Sequence, residues 1–302
     1  MTLEIRQLSA GLGAEVRGVD LSAELDAATF AAIEQAWRDH VVLLFRDQTL
    51  DHAAHIAFSR RFGPLDDHAA IPRFRDPQHP EILLVINQEI NGRPQPVGRQ
   101  WHSDLSTTVR PARGSLLRAG VIPPVGGDTM FANMYLAYDT LSPTLQAMID
   151  PLFAVHDMTV ARQLRGRDPA DLAEVRRRNP PVVHPVVRVH PETGRKALYV
   201  SEMTTIGIAG MTEEESRPIL EYLYRHSVRP EFTYRHRWRN GDLLAWDNRC
   251  AMHLALDDYD LRVPRHMYRT TLLGEHCGEV ASGEVLARLA GLPVEPVVRA
   301  AA

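Results

Sequence analysis

The segment that decides the fold runs from residue 114 to residue 127 and is GSLLRAGVIPPVGG. Its first eight residues suit a strand, and the Pro-Pro-Val-Gly-Gly run then ends it, because proline and glycine favour loops. Asn91-Gly92 and Pro191–Gly194 are hairpin-turn signals. Many short strands in one chain of 302 residues predict a single mainly β domain, with a sandwich or barrel core and helical additions. Strands are predicted at 41–45, 82–86, 114–121, 184–190, 196–200, 232–238, 242–246 and 268–273.

Helical patterns lie near the start of the chain and in later insertions. Apolar side chains recur every three or four residues over 25–41, which predicts one buried helix face. Thr212 with Glu215 three residues later is a capping-box pattern, so a helix is predicted over 212–227. Further helices are predicted near 50–62, from Ser142-Pro143 onward, and as a short helix with a tail after about 280.

The composition excludes several classes of protein. With 34 Lys and Arg against 38 Asp and Glu, the formal net charge is −4, so nothing indicates a nucleic-acid partner. No apolar run approaches the roughly 20 residues that a membrane helix needs, and the first residues lack a secretory pattern, so a cytoplasmic protein is expected. Two cysteines, Cys250 and Cys277, are too few for a disulfide scaffold. A small-molecule partner is the better expectation.

The segment from 155 to 180 is rich in arginine and has little apolar periodicity. Two interpretations are open, a mobile lid or a plain solvated loop. Two of the 14 histidines, His184 and His190, fall in one predicted strand without a carboxylate in register, which favours a structural role. Cys250 is interpreted as a small buried side chain.

The pattern Trp101-His102-Ser103-Asp104 is the first candidate for chemistry. Residues two apart in a strand point to the same side, so His102 and Asp104 can reach one metal ion together. Two histidines and one carboxylate on one face of a metal form the facial triad of non-haem Fe(II) oxygenases. A His-x-Asp triplet is common by chance, so this pattern needs a third ligand from elsewhere in the chain.

A second pattern, Trp246-Asp247-Asn248-Arg249 followed by His253, supplies that ligand. Together with Trp101–Asp104, it resembles the taurine/dichlorophenoxyacetate dioxygenase family. The resemblance extends to 11–21, 58–64, 126–129, Asp258-Tyr259 and the run Arg265-x-Met267-x-Arg269. It implies a double-stranded β-helix (jelly-roll) core, dependence on Fe(II), 2-oxoglutarate and O2, and a homo-oligomer, either a dimer or a tetramer.

The same resemblance implies roles for individual residues. His102, Asp104 and His253 match the iron ligands, and Thr129 matches the residue that hydrogen-bonds 2-oxoglutarate. Arg265 matches the partner of the distal carboxylate, a role that suits the planar fork of a guanidinium. The spacing from His253 to Arg265 is one residue longer than expected for the family, so Arg262 remains an alternative.

Two further positions match substrate contacts in the family. Arg269 lies on the same strand face as Arg265 and matches the position that binds the acidic group of the primary substrate. His68 follows Phe62-Gly63-Pro64, where relatives place a substrate-contacting histidine. Both residues imply a small anionic organic substrate.

The expected reaction is hydroxylation of that anion, with release of succinate and CO2. The stretch from Tyr234 to Cys250 favours an aryloxyalkanoate, and a taurine-type sulfonate or an alkyl sulfate is the alternative within the same chemistry. Two other classes stay open from the residues alone: a non-catalytic jelly-roll protein that binds a metal or ligand, and a zinc hydrolase that uses the same His-Asp-His set. Thr129 and Arg265 argue against a mere metal binder, which needs no 2-oxoglutarate site.

Overall fold

Short strands dominate the structure, a computed structural model that describes residues 3–90, 93–95, 98–161 and 164–292. The helices in these residues are α1 (Ala27–His40), α2 (His52–Arg60), α3 (Met134–Asp139), α4 (Pro143–Ile149), α5 (Pro169–Arg178), α6 (Glu213–Ser227) and α7 (Gly283–Leu289). Short 3-10 helices occur at Pro72–Phe74, Met158–Val160 and Pro230–Phe232. None of the helices among the described residues is long and apolar enough to cross a membrane.

The strands follow one another in short pieces along the chain. They are β1 (Glu4–Gln7), β2 (Ala14–Arg17), β3 (Val42–Phe45), β4 (Leu83–Ile86), β5 (Gln88–Ile90), β6 (Arg93–Gln95), β7 (Gly114–Val121), β8 (Thr129–Asn133), β9 (Phe153–His156), β10 (Val182–Pro185), β11 (Val187–Val189), β12 (Lys196–Leu198), β13 (Thr205–Ile208), β14 (Thr233–His236), β15 (Leu243–Asp247), β16 (Ala251–Ala255), β17 (His266–Leu272) and β18 (Glu279–Val280).

The largest sheet has seven strands in the order β1-β2-β3-β15-β7-β17-β4. All neighbouring strands in it are antiparallel except β2 and β3, which are parallel. A three-stranded sheet, β14-β8-β16, and a four-stranded sheet, β13-β9-β10-β18, are separate from it. The prediction of a mainly β domain with helical additions is confirmed.

The central strands β3 and β15 of the seven-stranded sheet are buried on both faces, and alternate residues of β3 face different layers. Leu43 and Phe45 pack in one apolar cluster with side chains of α1 and α2. Val42 and Leu44 point the other way, into a second cluster that contains Phe131 of β8. Helices α1 and α2 therefore cover the outer face of the sheet, and the three-stranded sheet covers the inner face.

Several helix predictions are confirmed at their ends. Ser142 caps α4 with its side chain, and Pro143 is the first residue of that helix. At α6, the Thr212 side chain accepts from the backbone N–H of Glu215, and the Glu215 carboxylate accepts from the backbone N–H of Thr212. The capping box is therefore complete.

The predicted strand over 184–190 is wrong as a single element. The chain pairs with β9 up to Pro185 and then, after Val186, forms the separate hairpin β11–β12. Pro185 lies at the junction and has no N–H to donate, so it suits the end of a strand. His184 therefore lies in β10, whereas His190 directly follows β11, which belongs to a different sheet.

The segment 155–180, predicted to be a lid or a solvated loop, is only partly exposed. Val155 and His156 are buried in β9, and the exposed remainder includes α5. The predicted hairpin around Asn91-Gly92 agrees with the antiparallel pairing of β5 and β6. The turn residues themselves lie outside the described residues, as do 293–302 of the predicted tail.

Gly114, the first residue of β7, lets α1 and β15 approach closely. A Cβ atom built on it would lie 2.6 Å from Cζ2 of Trp37 and 2.8 Å from the carbonyl oxygen of Trp246. Both contacts are far below van der Waals distance, and Trp246 lies beside the candidate site described below.

We therefore expect Gly114→Ala to lower the free energy of unfolding by about 1 to 3 kcal/mol, because the added methyl group overpacks a rigid core. Urea denaturation measures this change. Gly283→Ala is the matched control, since nothing lies within 4 Å of a Cβ atom at that position. Equal stability of the two variants would contradict the packing argument.

Candidate active site

Two distant segments meet through backbone hydrogen bonds between His102 and His253. The N–H of His102 donates to the carbonyl of His253 at 3.1 Å, and the N–H of His253 donates to the carbonyl of His102 at 2.8 Å. The centroids of the two imidazole rings lie 4.2 Å apart. The segment before β7 thus pairs with β16, and this pairing brings the two histidines together.

Asp104 completes the group from the same segment as His102. Its Oδ1 lies 3.9 Å from Nε2 of His102, and its Oδ2 lies 3.9 Å from Nε2 of His253. One ligand atom from each of the three residues falls within 4.8 Å of the others. The structure therefore brings together all three residues predicted as iron ligands.

The protonation states suit a metal ion. Burial, together with the neighbouring His102, lowers the pKa of His253 to about 3. Burial also lowers the pKa of His102. Burial alone would raise the pKa of Asp104, but Arg269 and the two histidines outweigh it and hold that pKa below its usual value. At neutral pH the site is two neutral imidazoles and one carboxylate.

The orientation of the His102 ring also suits a metal ion. Its Nδ1 lies 2.7 Å from the carbonyl oxygen of Gln100, which can only accept, so the ring carries its proton on Nδ1. The lone pair of Nε2 then faces Asp104. A ligating histidine held by a backbone carbonyl in this way is usual at protein metal sites. The residues present thus fit a divalent metal ion bound to two histidines and one aspartate.

Arg269 is in contact with this group. Its Nη1 donates to Oδ1 of Asp104 at 2.6 Å, and its Nε is buried without a hydrogen-bond partner among the described residues. The sequence indicated a substrate contact at this position but gave no signal for the contact with Asp104. One guanidinium therefore adjoins the candidate metal ligand and retains a donor for another group.

His68 lies on the same side of the site. It is buried, its Nε2 has no partner in the described part of the chain, and its φ of 54° is in the left-handed region. Burial and the nearby charge of Arg269 lower its pKa, and Asp104 also acts on it. A neutral imidazole whose Nε2 is unpartnered among the described residues thus lies within the electrostatic range of Arg269.

Thr129 and Arg265 are placed by one glycine turn. Nε of Arg265 donates to the carbonyl of Gly127 at 3.1 Å, and Thr129 begins β8 two residues later. The Thr129 hydroxyl accepts from Nε1 of Trp238 at 3.0 Å. The Arg265 side chain is buried, whereas Arg262 is 86% exposed and pairs with Asp260. The geometry therefore favours Arg265 over the alternative Arg262.

A second group, His190, Asp247 and Cys250, also has ligand atoms within 4.8 Å of one another. Nδ1 of His190 accepts from two backbone N–H groups, so the proton sits on Nε2, which donates to Asp247 at 3.1 Å. Asp247 also binds the Arg249 guanidinium through both oxygens. A protonated Nε2 and an adjacent cation make this group a poor metal site, and its role is structural.

The match to known proteins agrees with this geometry. Residues 4–271 match the model of the family described as taurine catabolism dioxygenase TauD, TfdA family. The chain belongs to the TauD/TfdA family. As a member it is an oxidoreductase, a dioxygenase that depends on Fe(II), 2-oxoglutarate and O2. These findings favour the dioxygenase over the zinc hydrolase and the non-catalytic binding protein.

Relatives cover nearly the whole chain. An alpha-ketoglutarate-dependent sulfate ester dioxygenase of Pseudomonas putida is 36% identical over 282 residues, covering 91% of each chain. A 2,4-dichlorophenoxyacetate dioxygenase of Cupriavidus pinatubonensis is 35% identical, over 91% of this chain and 99% of the relative. The crystal structure of a taurine dioxygenase from Burkholderia xenovorans superposes with a TM-score of 0.78 at 38% identity, covering 95% of this chain and 98% of that one. The structure of AAD-2 with Mn(II) and N-oxalylglycine also gives 0.78, at 34% identity, over 92% and 99% of the two chains.

The two clusters predict different metal-binding behaviour in two variants. We expect one Mn(II) per chain, lost in Asp104→Ala because the only carboxylate of the first cluster is removed. Cys250→Ser, at the second cluster, should leave the stoichiometry unchanged. Titration of the purified protein with Mn(II), followed by electron paramagnetic resonance, gives both numbers. If only the Cys250 variant lost Mn(II), the metal would belong to the second cluster and the assignment to His102, Asp104 and His253 would be wrong.

Proposed function

We propose that this dioxygenase hydroxylates a small organic anion whose acidic group binds at Arg269 and His68. The observation that carries the proposal is the position of Arg269, which touches Asp104 and still has a buried, unpartnered Nε. A buried donor without a partner is costly, and an anion supplies the missing acceptor. His68, with its own unpartnered Nε2, lies within the electrostatic range of Arg269.

The residues proposed for 2-oxoglutarate lie on another side of the site. Arg265 is buried, and its hydrogen bond to Gly127 uses Nε, so its terminal nitrogens are the groups that would meet the distal carboxylate. A small cavity beside it is lined by Tyr259, Asn87 and aliphatic side chains of β4 and the end of β16. Thr129 would donate its hydroxyl to the same carboxylate. A guanidinium and a hydroxyl then fix one end of the co-substrate.

Iron bound by His102, Asp104 and His253 would supply the oxidation, in which O2 and 2-oxoglutarate become succinate, CO2 and a hydroxyl group on the substrate. The chain's own residues position the reactants and limit access of water. For an aryloxyacetate, hydroxylation next to the ether oxygen gives a hemiacetal, which breaks down to a phenol and an oxoacid. Among the relatives, one dioxygenase is named for sulfate esters and another for 2,4-dichlorophenoxyacetate, which is an aryloxyacetate.

Three broader expectations belong to this proposal. Residues 1–302 form a single dioxygenase domain, in which the seven-stranded sheet and the β14-β8-β16 sheet are the two halves of a double-stranded β-helix. The exposed residues that the structure describes in 155–180, which include α5, form either a mobile lid or a plain solvated loop. The enzyme is a dimer or tetramer in the cytoplasm. The match over residues 4–271 and the contact of Phe131 with Trp246, 5.4 Å between ring centroids, support the domain and its core.

The test is succinate formation with Fe(II), 2-oxoglutarate and O2, measured with and without candidate substrates. We expect stimulation by an aryloxyalkanoate, with alkyl sulfates and sulfonates as the second class to respond. Asp104→Ala should abolish stimulation, because the metal loses its carboxylate ligand. If neutral analogues that lack the acidic group stimulate equally well, binding of an anion at Arg269 is wrong.

Arg265 and Arg262 form a matched pair for the 2-oxoglutarate site. Arg265→Ala should raise the KM for 2-oxoglutarate by about 10- to 100-fold or more, because a charge-assisted bidentate contact is lost. Arg262→Ala, which removes an exposed arginine from the same loop, should leave it unchanged. Steady-state kinetics at saturating substrate measures both. The reverse result would restore Arg262 as the co-substrate ligand.

A further inference from the structure

Asp104 is held by a chain of hydrogen bonds that begins at Trp246. Nε1 of Trp246 donates to Oδ1 of Asn248 at 3.0 Å, and Nδ2 of Asn248 donates to Oγ of Ser115 at 3.0 Å. The Ser115 hydroxyl then donates to Oδ2 of Asp104 at 2.7 Å. All four residues are at most 5% exposed. The chain links β15, the turn after it, β7 and the candidate metal ligand.

The direction of each bond is determined by chemistry. Two groups that can only donate, Nε1 of Trp246 and the backbone N–H of Asp104, point at the same Asn248 oxygen. The Asn248 amide group must then present Nδ2 to Ser115. Ser115 has one hydroxyl proton, and an ionised carboxylate only accepts, so that proton goes to Asp104. Every donor in the chain therefore points toward Asp104, an arrangement in which successive bonds strengthen one another.

The two oxygens of Asp104 have different anchors. Oδ1 accepts from Arg269 and faces His102, whereas Oδ2 accepts from Ser115 and faces His253. Rotation of the carboxylate about its last torsion would break both bonds. Arg269 is also the proposed substrate ligand, so its guanidinium binds both Asp104 and the substrate. Ser115 has no proposed contact with the substrate.

We propose that Ser115 and Asn248 are positioning residues that hold the Asp104 carboxylate correctly rotated for the metal, and so set the metal affinity of the enzyme. In the described part of the chain, neither side chain makes a hydrogen bond to Arg269, His68, Thr129 or Arg265. Asn248 lies within the Trp-Asp-Asn-Arg pattern but had no assigned role, and nothing in the sequence marks Ser115. Groups that orient a metal ligand in this way commonly change affinity by about 10- to 100-fold when removed.

The experiment measures Mn(II) affinity without turnover, by electron paramagnetic resonance of free Mn(II), and records the absorption spectrum of the Co(II)-loaded protein. Ser115→Ala should raise the dissociation constant for Mn(II) by about 10- to 100-fold and change the Co(II) spectrum. Ser115→Thr, which keeps the hydroxyl, should restore most of the affinity. Asn248→Ala is the second variant and removes the next donor in the chain, so it should weaken binding in the same direction.

Ser59→Ala is the matched control for loss of a buried hydroxyl. The Ser59 hydroxyl bonds to the carbonyl of His55 and to the Thr270 hydroxyl, and among the described residues it makes no hydrogen bond to the site. It should lower the melting temperature without changing Mn(II) affinity. The proposal is overturned if Ser115→Ala binds Mn(II) as the wild type does with an unchanged Co(II) spectrum, or if Ser59→Ala loses as much affinity. The inference rests on Asp104 as a metal ligand, which comparison of the wild type with Asp104→Ala tests separately.

Discussion

The backbone pairing of His102 with His253 is the constraint on which the site depends. Two hydrogen bonds join segments that are half the chain apart, and they fix the two imidazole rings side by side. Asp104 lies in the turn that directly follows this bridge, and its carboxylate oxygens come within 3.9 Å of both imidazoles. Trp246 packs 4.8 Å from the His253 ring, so the inner faces of the two sheets meet at the same point as the ligands. The same contacts therefore determine both the packing of the core and the geometry of the site.

The parts of the fold that depend on local rules could be predicted from the sequence. The capping box of α6, the Pro143 start of α4 and the strand over 114–121 all match, because each depends on residues close to one another. The break at Pro185 was missed, since a strand that changes sheets has the same apolar pattern as one that continues. Which sheet a segment joins is decided by tertiary packing.

The candidate site shows the same division. His102, Asp104 and His253 could be found because their spacing resembles a family pattern. The contact between Arg269 and Asp104 could not, because it joins a strand residue to a residue 165 positions earlier. The bond from Ser115 to Asp104 has no sequence signature either, since a serine in an apolar strand looks like any small residue. The ligands of a metal are easier to find by sequence than the groups that orient them.

The hydrogen bonds that bring His102 to His253 are made by the backbone, and the charge of Asp104 is balanced by Arg269. Neither interaction requires an ion. Small zinc domains differ, because there the metal supplies most of the folding free energy and the apo chain unfolds. In this protein the chain itself makes the contacts that place the three residues, so the arrangement of the site follows from the fold rather than from an ion.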